Sequence, residues 1–185
     1  IGGVDRPVLE LLGAVGAEPA PGLAGVSLRD LLTMRSGLAA DDMDPASPGS
    51  EDRMDQATNW LSFALGVPRA RSPAEAYLYC SVNAFLAGAV VEKASGTGLE
   101  EFASRHLFAP LGITEHRWRR GPKGEGAGQG NLSLRLRDLA RIGEMVLGGG
   151  RVGTDRIVSR RWIEDSLAAI VPIAAVDRYA DHYGY

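Results

Sequence analysis

The chain has 185 residues, the size of one moderate domain or of a part of a larger one, with 45% hydrophobic and 23% charged residues. That balance excludes a disordered or collagen-like chain and provides enough apolar surface for a core without disulfides or a structural metal. Twenty Lys and Arg against 23 Asp and Glu give a net charge of -3, which argues against a nucleic-acid partner, since such partners select a basic excess. The one cysteine, Cys80, cannot close an internal disulfide and leaves the redox compartment open. The longest apolar runs, such as 84–91, are too short for a bilayer, and no export signal opens the chain, so it reads as a soluble domain. Both ends read as internal segments.

Residues 1–25 are rich in proline and glycine around the apolar run Val8 to Leu12, which predicts a brief helix or extended piece within loop. Ser27, with Asp30 three positions on and a leucine pair behind it, predicts a capping-box helix start that Gly37 has ended. Asp41, Asp42 and Asp44 with two prolines predict a solvated loop over 39–50. Helical spacing of Met54, Trp60, Leu61 and Ala64 predicts a helix over 52–65. Phe85, Leu86, Ala89 and Val90 predict one apolar face of a helix over 82–94, and Ala84, Ala87 and Gly88 let it pack closely. A second helix is expected over 99–107, a short strand at 116–118, and a glycine-rich loop at 121–130 of the kind that lines a site. A helix over 133–147, a hairpin or strand within 151–158 and a Ser159-capped helix to 168 complete the reading.

No metal set is legible. His106, His116 and His182 share no i, i+4 face, and the three aspartates lack the ordered ligand series of a calcium loop. The glycines at 121–130 precede no Lys-Ser or Lys-Thr pair, so no phosphate loop and no cofactor are indicated. No Gly-x-Ser-x-Gly elbow occurs. Cys80 can be read as a thiolate nucleophile beside a histidine or as a small buried residue at a helix start. Trp118 between arginines can be read as lining a cleft or as capping the core. Arg117, Arg119, Arg120 and Lys123 read as a solvated rim.

Four segments carry a resemblance to a known family. Pro73-Ala74-Glu75-Ala76-Tyr77-Leu78-Tyr79-Cys80-Ser81-Val82-Asn83 resembles the Pro-Gly-x-x-Phe-x-Tyr-Ser-Asn region of the serine β-lactamases and penicillin-binding-protein-like hydrolases. Leu28-Arg29-Asp30-Leu31-Leu32-Thr33-Met34-Arg35-Ser36-Gly37-Leu38 resembles their Leu-Leu-Thr-x-x-Ser-Gly-Leu segment. Leu107-Phe108-Ala109-Pro110-Leu111-Gly112-Ile113 resembles their Phe-x-Pro-Leu-Gly-Met segment and Leu136-Arg137-Asp138-Leu139-Ala140-Arg141-Ile142-Gly143 their Asp-Leu-Ala helix, in the same order. The Tyr-Cys-Ser form together with Trp118 resembles the class C and 6-aminohexanoate-oligomer hydrolase branch.

The resemblance implies acyl-enzyme hydrolysis of a small-molecule β-lactam, ester or amide, without a cofactor or metal. A serine one turn before a lysine is the implied nucleophile, and Tyr79 matches the tyrosine that shares the proton work. A phenol of pKa about 10 serves as a base only when cations depress it. Ser81 stands where many relatives have asparagine and is the implied substrate-binding group; Ala74 replaces a glycine of the turn. The residues three before Lys93 and Lys123 are Val90 and Arg120, so these 185 residues hold no Ser-x-x-Lys, and no Lys-Thr-Gly follows. The expected architecture is therefore a mainly α fragment of the α+β β-lactamase/transpeptidase-like fold, a helical region with few short strands and the antiparallel sheet largely missing. Residues 1–185 are read as a single, incomplete domain of that fold, with an apolar, exposed sheet-facing side. A non-catalytic remnant or binding domain of the same fold is the other reading, and compartment and oligomeric state stay open.

Overall fold

A computed structural model describes residues 2–13 and 21–185. The loop expected at 14–20 lies outside the described residues. The chain forms two compact units, the first of residues up to 99 together with 119–130, the second of 100–118 together with 131–185.

In the first unit one helix, α5 (Ser81–Ser95), is the centre. The helices α1 (Val8–Leu12), α2 (Leu28–Leu32), α3 (Glu51–Gln56) and α4 (Trp60–Gly66) pack on it. The expected single apolar face of α5 proves too narrow. Val82, Phe85, Leu86, Gly88, Ala89 and Val90 are buried around most of its circumference, and polar Ser81 and Asn83 are buried with them. A helix apolar nearly all round is one enclosed by neighbours, and burying each of Phe85, Leu86 and Val90 contributes about 1.5–3 kcal/mol. Trp60 meets the Phe85 ring edge-on, with centroids 6.0 Å apart.

The capping box at Ser27 forms as expected, with Asp30 N–H donating to the Ser27 hydroxyl and the Asp30 carboxylate accepting the Ser27 N–H. The helix expected over 52–65 is instead two, α3 and α4. Asn59 sits in extended backbone and its Oδ1 accepts the Ser62 N–H at 2.8 Å, so the break is an N-cap that starts a new helix. Spacing alone cannot register that, because the apolar positions stay in phase across the break.

The glycine-rich segment 121–130 is ordered by two carboxylates. Glu125 accepts the Trp60 N–H at 2.9 Å and the Lys123 N–H at 2.8 Å. Glu92 of α5 accepts the N–H groups of Leu99 at 2.8 Å and Gly126 at 3.2 Å.

The second unit holds α6 (Leu99–Ala103) from Glu100 onward, a π-helical turn (Ser104–Phe108), α7 (Leu136–Leu147) and α8 (Arg160–Ser166). Three antiparallel strand pairs join them: β1 (His116–Trp118) with β2 (Leu132–Leu134), β3 (Arg151–Val152) with β4 (Asp155–Arg156), and β5 (Val171–Pro172) with β6 (His182–Tyr183). The first two pairs match the expected strand and hairpin, and β2 takes the first residues of the helix expected from 133. Phe108, Leu111, Ile113, Met145 and Ile163 form the core of this unit. The other side of α7 carries exposed Leu136, Leu139 and Leu147. Among the described residues the architecture is mainly helical with only short strand pairs, as expected, and no helix is long and apolar enough to cross a membrane.

Candidate active site

Two of the sequence segments meet in the first unit. The stretch before α5 runs along the turn that ends α2: Ala74 N–H donates to Arg35 O at 2.8 Å, Leu78 N–H donates to Met34 O at 2.9 Å, and the Arg35 side chain donates to Ala74 O. Met34 (φ 56°) and Ala74 (φ 62°) both occupy the left-handed region, where a β-carbon costs about 1–2 kcal/mol. Ala74 stands where the resembled family has glycine, so the turn keeps the glycine conformation without the glycine. Gly37 (φ 75°) is required there, because a β-carbon would lie 2.3 Å from Arg71 O.

Tyr79 lies at the end of this stretch and is 46% exposed, whereas Cys80 and Ser81 beside it are buried. Sequence reading placed Asp42 in a solvated loop. The loop forms, but the half-buried Asp42 side chain reaches the start of α5, with Oδ2 accepting the Ser81 N–H at 2.6 Å and Oδ1 accepting the Glu51 N–H at 2.9 Å. Asp42 and Glu51 thus join Tyr79 and Ser81 at one place. Neither was singled out from sequence, since 39 residues separate Asp42 from Ser81 and only the fold brings them together.

These charges set the acid–base character of the site. The Tyr79 phenol is held above its ordinary value, by burial first and then by the Asp42 and Glu51 carboxylates and by Cys80. Glu51 is also raised, by burial and by Asp42, with the Ser81 hydroxyl opposing. The anions that act on Tyr79 favour its neutral form, so a phenolate there requires a cation beyond the groups described. Burial pushes the Cys80 thiol up to about 12, which removes the thiolate that nucleophilic attack needs and leaves the small buried residue.

Trp118 belongs to the second unit, partly buried against Phe108 with centroids 6.3 Å apart. It caps a core. Arg119, expected on a solvated rim, pairs with Asp55 at 2.7 Å and lies 5.1 Å over the Trp60 ring. The remaining two segments meet in the second unit, where Arg141 donates to Gly112 O at 2.8 Å. There Asp138 is fully buried between Arg135 at 2.7 Å and Arg141 at 3.0 Å, so the Asp-Leu-Ala segment holds its fold through an ion pair. A depression of about 490 Å³ in that unit, lined by His116, Arg117, Ser133 and Arg135 among others, does not include Tyr79. Among the described residues no group of three or more His, Cys, Asp or Glu is placed to hold a metal.

The family described as Beta-lactamase matches residues 2–169. The 6-aminohexanoate-dimer hydrolase of Paenarthrobacter ureafaciens is 30% identical over 182 residues, which is 89% of this chain and 43% of that protein. The chain therefore spans less than half the length of this relative. Among solved structures, the octameric penicillin-binding protein homologue of Pyrococcus abyssi superposes with a TM-score of 0.73 at 21% identity, over 99% of this chain and 47% of that one. A D-stereospecific amidohydrolase from a Streptomyces species superposes with a TM-score of 0.70 at 18% identity, over 98% and 62% respectively. At such identities these likenesses establish the fold.

Proposed function

Because the chain belongs to the β-lactamase family, a family of serine hydrolases, we propose that it is the tyrosine-bearing part of a serine hydrolase. That hydrolase opens β-lactams, esters or small amides through an acyl-enzyme, and residues 1–185 are one incomplete domain of it. The observation that carries the reading is the place of Tyr79, half-exposed just before α5 on a stretch pinned to the Met34–Arg35 turn.

In the proposed reaction a serine outside these 185 residues attacks the acyl carbon and its proton passes toward Tyr79. A neighbouring lysine, also outside, supplies the cation that lowers the phenol. The tetrahedral intermediate collapses when Tyr79 returns a proton to the leaving group, and water then releases the acyl group by the same route. Ser81 is the polar group beside it, the proposed partner of a substrate amide. The carboxylates around Tyr79 favour a second reading, a non-catalytic binding domain of the same fold, because they oppose the phenolate.

Hydrolysis of a chromogenic β-lactam and a nitrophenyl ester tests both readings. The 185-residue chain alone is expected to give no turnover. The longer protein that carries it is expected to form an acyl-enzyme, with Tyr79→Phe lowering kcat by about 10²–10⁴. Tyr79-dependent turnover by the chain alone would place the nucleophile within it. Full activity of the Tyr79→Phe protein would remove Tyr79 from the proton path.

A further inference from the structure

Asp42 joins the starts of two helices with one carboxylate. Its Oδ1 accepts the N–H of Glu51, the first residue of α3, at 2.9 Å, and its Oδ2 accepts the N–H of Ser81, the first residue of α5, at 2.6 Å. Neither helix has a side-chain cap of its own. Ser50 and Cys80 occupy the two N-cap positions without a capping bond, and the Ser50 hydroxyl is buried without a hydrogen-bond partner. Three other helices, α2, α4 and α8, are capped locally, by Ser27, Asn59 and Ser159. At α3 and α5 the cap comes instead from one remote residue, and a carboxylate at a helix N-terminus also gains from the dipole.

Tyr79 stands between two tethered neighbours. Before it, the Leu78 N–H is held by Met34 O at 2.9 Å; after it, the Ser81 N–H is held by Asp42. We propose that Asp42 is a positioning residue for Tyr79: by fixing the first turn of α5 against α3 it fixes where the phenol stands for proton transfer. This rests on the reading of Tyr79 given above. Asp42 does not touch the reacting atoms and acts through the backbone of Ser81. Its charge, with that of Glu51, also raises the phenol further above its ordinary value.

The clamp is tested on the 185-residue chain without any substrate. Carbon-13 at the ζ position of the five tyrosines, with Tyr79→Phe for assignment, follows the phenol by NMR, while amide exchange is read at Glu51 and Ser81. Asp42→Ala is expected to speed exchange at both amides about tenfold and to move the Tyr79 titration to lower pH. Asp42→Asn, which keeps one acceptor oxygen, is expected to retain one protected amide and still move the titration down, and it decides the matter if the alanine variant fails to fold. Asp44→Ala, a neighbouring acid that caps only its own turn at Ala46, is expected to move neither. Unchanged exchange and an unchanged Tyr79 titration in both Asp42 variants overturn the proposal.

In the longer, active protein, Asp42→Ala is expected to lower kcat at constant KM, with partial recovery in Asp42→Glu. An unchanged kcat overturns the positioning role. Absence of hydrolysis by the wild-type protein counts against the hydrolase reading alone, since the clamp is measured independently of it.

Discussion

Gly88 of α5 and Gly128 of the glycine-rich segment meet backbone to backbone: a β-carbon on Gly88 would lie 3.0 Å from Gly128 Cα, and one on Gly128 would lie 2.7 Å from Ala84 O. The segment can lie on α5 only because both residues lack side chains. We expect Gly128→Ala to destabilise the chain by about 1–3 kcal/mol, since the obstructing atom is helix backbone and cannot step aside. Urea unfolding monitored by tryptophan fluorescence measures this. A change below 0.5 kcal/mol or so would mean that the contact is looser than the geometry states.

Cys80 is 2% exposed, with its thiol pushed up to about 12. At pH 8 the thiolate fraction of such a group falls about a thousandfold or more below that of an ordinary thiol. Native protein should therefore react with a thiol-specific chromogenic disulfide far more slowly than protein in denaturant. Fast reaction in the native state would reopen a nucleophilic role for this residue.

The Asp138 carboxyl is held below its ordinary value, chiefly by the hydrogen bond from Arg135. A lowered folded-state pKa contributes stability that is present above the unfolded value of about 4 and is lost as pH falls through the folded value. Asp138→Asn should therefore lower Tm at neutral pH, with the gap to wild type closing in acid below about pH 4. A gap independent of pH would assign the loss to packing and not to the charge.

For Tyr79 the sign is the reverse. Its folded value is raised, so its contribution is complete below the unfolded value of about 10 and is lost as pH rises through the folded one. Wild type should lose stability relative to Tyr79→Phe only in strongly alkaline solution. The opposite slope would mean that a cation, and not the Asp42 and Glu51 carboxylates, dominates the phenol.

Local signals were read well where one short segment specifies its own geometry. The Ser27 to Asp30 capping box and the hairpin at 151–156 each depend on residues a few positions apart. Helical spacing does not register the break at Asn59, because Met54 and Leu61, seven positions apart, keep a helical phase across it. The role of Asp42 was missed because an aspartate among prolines has the composition of a solvated turn, whatever lies opposite it in space.

The sequence by itself determined the family, the order of four recognisable segments and Tyr79 as the residue to examine, because these are properties of residue type and short spacing. Only the tertiary structure decided that α5 is enclosed on most sides, that Cys80 is buried, that Trp118 belongs to a core and that Asp42 and Glu51 surround the start of α5. Burial and electrostatic environment depend on which distant residues share a few ångströms of space, and no local pattern encodes that distance.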